Sequence, residues 1–228
     1  RSGYFETVTL SEDDLKRNDM YRANAQRAKA QSRFADYHDY LLSLEMTAEI
    51  GDFSPLYLQR ITQLTNKSNQ FNLTTKRYTA EQMEAVYNSD EYIRLYGKLY
   101  DKFGDNGVVA VTIGKTDSED KGRLDIELWL MSCRVLKRDM ELAMLDSLVE
   151  QAKKRGIREI YGHYYPTAKN KMVAGLYESF GFEKISQDED GNTAWRLLVE
   201  GYEDKNTVIK VKEEHYACLL YTSPSPRD

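Results

Sequence analysis

The spacing of apolar residues changes period along this 228-residue chain, and that change most restricts its fold. Residues 94–100, 108–113 and 124–130 carry strand signals and are separated by short connections. Asp105-Asn106-Gly107 between the first two is a hairpin signal, because Asn and Gly accept a positive φ at little cost. Residues 140–152 return to helical spacing, and Gly156 ends that helix. Strands in succession followed by an amphipathic helix predict an α/β domain.

The segments on either side of this central part also predict strands and helices in turn. Residues 44–50 predict a strand, Pro55 opens a helix, and Thr79 caps another helix that ends near residue 87. After the amphipathic helix, residues 157–165 predict a strand, 169–180 a helix and 194–199 a last strand. The predicted order is β-α-α-β-β-β-α-β-α-β.

Both ends of the chain differ from this central part. Ser11 and the three acids after it predict a helix to about residue 32, and a second helix follows, so residues 1–42 form a helical arm. Residues 203–228 are predicted to be a tail. Two of the four prolines fall in the last ten residues, which resemble a cloning scar more than native sequence. We expect the chain to be a piece of a longer protein.

Composition excludes several classes of function. With 32 Lys and Arg against 37 Asp and Glu, the net charge of −5 argues against nucleic-acid binding. No apolar run approaches the roughly 20 residues of a membrane span. Cys133 and Cys218 do not supply a disulfide framework, so a reducing cytoplasm is expected. Three scattered histidines give no metal-ligand spacing, and no metal is expected.

Several motifs resemble known families. Over residues 43–202, the element order and the pattern Asn170-x-x-Ala-x-x-x-Tyr177 before Gly181-Phe182 resemble the GNAT superfamily of acyltransferases. Four further stretches resemble the C-terminal half of FkbH-like proteins of the HAD-IIIC family. They are RITQLTNKSNQFNLTT (60–75), FGDNG (103–107), WLMSCR (129–134) and PTAKN (166–170). The GYFE at 3–6 resembles the junction that follows the phosphatase domain of those proteins.

This resemblance implies a fold and a reaction. The fold is a GNAT-like mixed, mostly antiparallel sheet flanked by helices, after a haloacid-dehalogenase-type phosphatase domain that this chain lacks. The reaction moves a small, glyceryl-type acyl group onto the phosphopantetheine thiol of an acyl carrier protein, in polyketide or related biosynthesis. Two splayed strands would grip the pantetheine. The alternatives are a non-catalytic module that docks the carrier, and a coenzyme A-dependent N-acetyltransferase.

One loop departs from the superfamily pattern, in which glycines let backbone N–H groups approach the cofactor pyrophosphate. The matching stretch runs from Arg134 to Asp139, and Lys137 and Asp139 fill both glycine positions. These side chains narrow the approach and make free coenzyme A the weaker expectation. Arg134, Lys137 and Arg138 remain candidates for holding the single phosphate of a carrier arm.

Three residues are candidates for catalysis. Cys133 follows a predicted strand, where it would take the acyl group as a thioester or, alternatively, be an inert thiol. His163, at the end of the next strand, is either its base or a surface histidine. The resemblance gives Tyr177 the role of proton donor to the departing thiolate, and simple packing is the alternative.

Side-chain amides are candidates for pantetheine binding. Asn69 and Asn72 lie in one loop, where they either bind the arm or satisfy their own backbone. Asn170 lies seven residues before Tyr177, which would place both on one face of the predicted helix.

Overall fold

The computed structural model describes residues 12–213, and for residues 12–18 and 213 only the backbone. The helices are α1 (Glu12–Gln31), α2 (Tyr37–Ser43), α3 (Pro55–Lys67), α4 (Ala80–Tyr87), α5 (Met140–Lys154) and α6 (Leu176–Ser179). The strands are β1 (Thr47–Asp52), β2 (Phe71–Asn72), β3 (Tyr92–Asp101), β4 (Gly104–Thr116), β5 (Arg123–Met131), β6 (Glu159–Tyr164), β7 (Glu183–Gln187), β8 (Thr193–Leu198) and β9 (Lys210–Glu213). The GYFE motif, Ser11, Cys218 and the last ten residues lie outside this range.

The strands form one sheet of nine, confirming the predicted mixed α/β architecture. Its order is β7-β8-β6-β5-β4-β3-β1-β9, and β2 pairs separately with β5. Pairing is antiparallel except between β5 and β6 and between β1 and β9. Apolar side chains of α5 pack on one face, whereas those of α3 and α4 pack on the other.

The helix starts follow the local sequence. Ser54 accepts a hydrogen bond from the Leu56 amide, and Pro55 occupies the first turn of α3, where a missing N–H costs nothing. Thr79 and Gln82 form a reciprocal capping box at the start of α4. These caps explain why both helices begin where the sequence predicts.

Three strands were not predicted from the sequence. Strand β2 lies in the amide-rich loop, β7 has five exposed residues and so no apolar alternation, and β9 pairs with β1 from within the expected tail. The predicted helix over residues 169–180 is interrupted. A 3₁₀ turn (Lys171–Val173) and the four-residue α6 replace it, with Gly175 between them.

Candidate functional site

Strands β5 and β6 diverge, as the resemblance implies. They pair at only three positions, which end at Asp125 and Tyr161, although β5 continues to Met131. The adjacent β4 residues Ile113 and Gly114 pair with Leu128 and Ile126, so Glu127 is an extra residue in β5. Such a bulge bends the strand and increases its twist. We call the resulting space between β5 and β6 the wedge.

The chain's own residues 71–74, the bridging segment, occupy the edge of β5 that faces the wedge. Phe71 and Asn72 pair with Met131 and Leu130, and the Leu73 amide donates to the Trp129 carbonyl at 3.1 Å. On the other side, the Leu73 carbonyl accepts from the Tyr165 amide at 2.9 Å, just beyond β6. Thr74 Oγ1 donates to the Glu127 carbonyl at 2.7 Å. The backbone groups that β5 would offer to a pantetheine arm here are therefore already bonded.

The amides of Asn72 and Asn170 hold the bridging segment. Asn170 is fully buried, and its Nδ2 donates to the Asn72 carbonyl at 2.9 Å and to the Tyr165 carbonyl at 3.0 Å. Its Oδ1 accepts from the amide and hydroxyl of Thr167. Asn72 Oδ1 accepts from the Thr75 amide. The third candidate amide, Asn69, accepts a hydrogen bond from Arg77. All three candidate amides thus have partners within the chain.

Tyr177 lies inside the core and not at a solvent channel. Its ring packs edge-on against Trp129 at 6.4 Å between centroids, and 5.0 Å from Phe182. It lies directly against Gly162, where a Cβ would overlap the ring. Burial raises the pKa of Tyr177 well above its ordinary value, so the phenol stays protonated at neutral pH. Its hydroxyl has no hydrogen-bond partner of good geometry among the described residues. Asn170 and Tyr177 do not share a continuous helix face.

His163 points to the start of the wedge. Its Nε2 lies 3.3 Å from Asp125 Oδ1, and its ring stacks on Tyr165 with a centroid separation of 6.3 Å. From Asp125 to the end of β5 is roughly 20 Å, at about 3.3 Å per residue. Cys133 lies beyond that end, so the structure does not bring His163 within proton-transfer reach of Cys133.

Cys133 begins a 3₁₀ turn (Cys133–Val135) immediately after β5 and is exposed. The Ser132 amide donates to the Val109 carbonyl at 2.7 Å, and the Ser132 hydroxyl accepts from the Arg134 amide. Arg60 of α3 lies close to Arg134. Partial burial and then the charge of Arg134 hold the pKa of Arg60 below its usual value. The side chain of Cys133 is therefore accessible, and Arg134 is the next residue in the same turn.

The loop between β5 and α5 keeps a backbone suited to glycine. Lys137 has φ 62° and Asp139 has φ 61°, both in the left-handed region. A side chain there costs roughly 1 kcal/mol or more. The two positions filled by Lys and Asp are thus the ones where the backbone itself favours glycine. Glu141 follows in the first turn of α5, where burial raises its pKa to about 7.

The helical arm packs over this loop. The side chain of Asp101, at the end of β3, is fully buried and forms ion pairs with Arg27 of α1 at 2.8 Å and with Arg138 at 3.1 Å. Tyr37 of α2 donates to the Lys137 carbonyl at 2.5 Å. The guanidinium of Arg138 therefore points inward, toward Asp101. Lys137 and Arg134 have no ion-pair partner among the described side chains.

A cleft of about 620 Å³ separates the arm from the loop. We call it the arm cleft. Four of the side chains that line it are cationic, namely Arg27, Arg134, Lys137 and Arg138. The other lining residues are Asn24, Ala28, Gln31, Tyr37, Tyr40 and Leu136. Arg134, the residue after Cys133, is part of its lining.

Glu127 is a site residue that the sequence did not indicate. Its carboxylate accepts from Lys76 Nζ at 2.5 Å and from the Tyr78 hydroxyl at 3.0 Å, and both partners follow the bridging segment. Burial, then the charge of Glu127, raises the pKa of Tyr78. Glu127 occupies the bulge in β5. The alternation of apolar and polar residues in the sequence does not reveal that bulge.

Neither metal ligands nor a membrane span is found in the part of the chain that the structure describes. No group of three or more His, Cys, Asp or Glu side chains there could hold a metal ion. None of the helices in residues 12–213 is long and apolar enough to cross a bilayer.

The fold is that of GNAT acetyltransferases. A ribosomal-protein alanine N-acetyltransferase from Escherichia coli aligns with TM-score 0.51 and 14% identity, over 71% of this chain and 99% of that chain. An acetyltransferase from Thermus thermophilus has TM-score 0.51 and 12% identity, over 67% and 97%. YncA from Salmonella typhimurium, solved with acetyl-CoA as its cofactor, has TM-score 0.51 and 14% identity, over 72% and 99%. No protein-family model and no curated protein sequence matches the chain.

Coenzyme A, the cofactor of the Salmonella neighbour, does not fit the residues present here. The bridging segment occupies the β5 edge in the wedge, and Asn170 fixes it there. In the β5–α5 loop, Lys137 and Asp139 place side chains where close approach of a diphosphate needs glycine. Asp139 adds a negative charge beside that position.

Proposed function

We propose that this chain is an acyltransferase that takes a small acyl group on Cys133 and passes it to the phosphopantetheine thiol of an acyl carrier protein. The observation that carries the proposal is the position of Cys133. The cysteine is exposed at the end of β5 beside Arg134, while the wedge between β5 and β6 is bridged. The carrier arm therefore reaches the sulfur across the surface and does not pass through the sheet.

The transfer is a balanced exchange of thioesters. The carrier thiolate attacks the carbonyl carbon of the acyl group on Cys133, a new C–S bond forms, and the bond to the Cys133 sulfur breaks. The sulfur of Cys133 leaves as a thiolate, and solvent takes up the proton of the carrier thiol. Nothing is oxidised or reduced.

The motifs shared with FkbH-like proteins support the identity of the substrates. They favour a glyceryl-type acyl group, an acyl carrier protein as acceptor and a haloacid-dehalogenase-type phosphatase domain upstream in the same polypeptide. The pathway class is polyketide or related biosynthesis. Both the partner and the acyl group belong to the proposal.

The test uses a glyceryl thioester of N-acetylcysteamine as donor and a phosphopantetheinylated carrier protein as acceptor. Intact-mass spectrometry should show a glyceryl adduct on this chain that disappears when the carrier is added. Cys133→Ser should abolish both the adduct and acylation of the carrier. Cys218→Ser is the matched control, because it removes the other thiol and should leave both intact. Acylation of the carrier at an unchanged rate in Cys133→Ser would sink the proposal.

A non-catalytic docking module is the second candidate, and two observations favour it. Tyr177 is buried in the core, and His163 bonds to Asp125 far from the thiol. A domain that only recruits the carrier would bind it with unchanged affinity in Cys133→Ser and would never carry an adduct. Titration of the carrier into wild type and variant, followed by mass spectrometry, separates the two functions.

The third candidate, coenzyme A-dependent N-acetyl transfer, has the support of the fold alone. The bridging segment and the loop at residues 134–139 oppose it. Micromolar binding of acetyl-CoA in calorimetry would show that neither feature excludes the cofactor.

A further inference from the structure

Helix α3 carries a row of side chains along one face that includes cations but no acid. The row follows spacings of four, three and four residues, which place its members one above another on a helix: Leu56, Arg60, Gln63 and Lys67. The buried residues of α3 lie on a different side, toward the sheet. Leu56 is 77% exposed, so the row also begins with an uncovered apolar side chain. We call this row the α3 face.

Two further cations border the α3 face. Arg77 donates to the Thr65 carbonyl in the last turn of the helix. Arg134 is close enough to Arg60 for its charge to help lower the pKa of that guanidinium. Arg60, Lys67, Arg77 and Arg134 have no ion-pair partner among the described side chains. The surface around α3 is therefore cationic.

The carboxylates of neighbouring elements do not neutralise this surface. Glu49 of β1 pairs with Lys98, and Glu127 of β5 pairs with Lys76. Both acids of α4 are exposed, and within residues 12–213 neither forms an ion pair with the four cations. A surface with four unneutralised cations is thus unlike the rest of a chain whose net charge is −5.

We propose that the α3 face docks an acidic helix of the acyl carrier protein, with Arg60 and Lys67 opposite its carboxylates and Leu56 against an apolar side chain. The inference rests on the acyl transfer proposed above, because that reaction supplies the partner. Arg60 and Lys67 are about 10 Å apart along α3, which matches carboxylates two turns apart on a second helix. Complementary charge favours fast and correctly oriented encounter, which suits a partner that delivers its arm and leaves.

The composition of the α3 face favours an acidic protein over a nucleic acid. None of its four members is aromatic, so it offers no ring on which a base would stack. A nucleic acid would also meet a chain of net negative charge. An acidic helix needs only the row of cations and an apolar contact.

The position of the α3 face connects docking with transfer. Arg134, whose charge acts on Arg60, follows Cys133 directly, so the Cα atoms of residues 133 and 134 are about 3.8 Å apart. The end of α3 is also joined to the bridging segment, because Asn72 Nδ2 donates to the Ser68 carbonyl at 3.3 Å. A carrier on α3 would therefore bring its arm to the surface around Cys133 without entering the wedge.

The experiment is calorimetric titration of the chain with a phosphopantetheinylated carrier protein. Lys67→Glu should weaken binding about tenfold and Arg60→Gln about fivefold, and binding to wild type should weaken as salt rises. Both variants are expected to fold, because neither side chain has an ion-pair partner among the described residues. Lys121→Glu is the matched control, since Lys121 is an exposed lysine before the start of β5, a strand roughly 26 Å long. No measurable binding to wild type, or equal losses in Lys67→Glu and Lys121→Glu, would overturn the proposal.

Two further probes test the chemistry of the partner. A carrier with the exposed Asp and Glu of the helix beside its arm changed to Asn and Gln should bind wild type about tenfold more weakly. The same carrier should lose little more on Lys67→Glu, because the two changes remove one interaction. A short DNA duplex that binds as tightly as the carrier would show a surface for any polyanion and overturn the inference.

Kinetics separate this inference from the proposed function. In Lys67→Glu the defect should appear as a raised KM for the carrier, with kcat as in wild type. Cys133→Ser should bind the carrier as tightly as wild type does, even though it transfers nothing. If the carrier binds through α3 but no acyl adduct ever forms, the docking surface stands and the transferase fails. If the carrier is acylated with the same KM in Lys67→Glu as in wild type, the transferase stands and this inference fails.

Discussion

Two spaces flank the end of β5, and they differ in what fills them. The wedge between β5 and β6 contains the bridging segment, with the apolar side chains of Phe71 and Leu73 buried and the amide of Asn170 bonded on every side. The arm cleft, only a few residues further along the chain, is bordered by charged side chains and remains open. The two spaces are thus treated differently: the chain fills the wedge with its own residues 71–74 and leaves the arm cleft open.

The difference has an energetic consequence. Burying a Phe or Leu side chain is worth roughly 1.5–3 kcal/mol, so opening the wedge would expose two such residues and break the Asn170 hydrogen bonds. Lys137 and Arg134 are solvated in the free protein and lose few contacts when a ligand arrives. Binding in the arm cleft is therefore much less costly than binding in the wedge. The five predictions below test this contrast.

The largest effect is expected at the wall of the arm cleft. Asp101→Ala leaves Arg27 and Arg138 buried without their shared counter-charge, which should lower the free energy of unfolding by about 3–5 kcal/mol. Urea denaturation measures the loss. Asp120→Ala, which removes the partner of the exposed Arg158, should change stability by less than about 1 kcal/mol. Similar losses in both variants would mean that the buried ion-pair network does not hold the arm.

The second prediction concerns the wedge. Asn170→Ala removes the donors to the Asn72 and Tyr165 carbonyls and leaves a small cavity, at a cost of about 3 kcal/mol. The Leu73 amide should then exchange its hydrogen faster in a deuterium experiment. Asn66→Ala is a suitable comparison, since the exposed Asn66 side chain lies outside the wedge. Unchanged protection of Leu73 would show that the bridging segment does not depend on Asn170.

The third prediction uses the pKa of Glu141 in the first turn of α5. Burial raises this pKa to about 7, above the value of roughly 4.3 in an unfolded chain. The folded state then binds the extra proton, so the stabilisation is complete below pH 4.3 and disappears as pH rises through 7. Allowing for partial exposure, wild type should lose about 2 kcal/mol more than Glu141→Gln between pH 5 and pH 8. Parallel urea curves at both pH values test this difference.

Tyr177 provides a smaller test of whether the wedge is catalytic. Its buried hydroxyl has no well-formed hydrogen bond, so Tyr177→Phe should leave stability unchanged or raise it by up to about 1 kcal/mol. Transfer to the carrier should continue at the wild-type rate. A tenfold or larger loss of transfer, with no loss of stability, would restore Tyr177 as the proton donor and place the chemistry in the wedge.

The smallest expected effect is at the loop. Lys137→Gly relieves the left-handed conformation but adds chain entropy to the unfolded state, so the net gain should be about 0.5 kcal/mol. Thermal denaturation measures it against Lys137→Gln, which keeps the strain. Acetyl-CoA binding in the Lys137→Gly, Asp139→Gly double variant would show that the loop, and not the bridged wedge, is what excludes the cofactor.

Local signals in the sequence were sufficient for most of the fold. Pro55, the Thr79 cap and the periodicity of residues 140–152 identified α3, α4 and α5, and the three strand signals identified β3, β4 and β5. These features depend on side-chain spacing and capping within a few residues. The filled glycine positions at Lys137 and Asp139 were also visible, since the family pattern fixes where glycine belongs. Each of these features depends on residues that are near one another in the chain.

Only the tertiary structure decided how distant residues meet. The spacing of apolar residues cannot predict that residues 71–72 pair with the end of β5, because a strand of two residues is too short to show an alternating pattern. It likewise could not show that β5 continues far past its pairing with β6, which separates His163 from Cys133. The same holds for Arg27 and Arg138, which are far apart in the chain and share Asp101 inside the fold. Strand pairing and burial depend on the whole sheet, so the sequence determined the elements and the structure determined which space stays open.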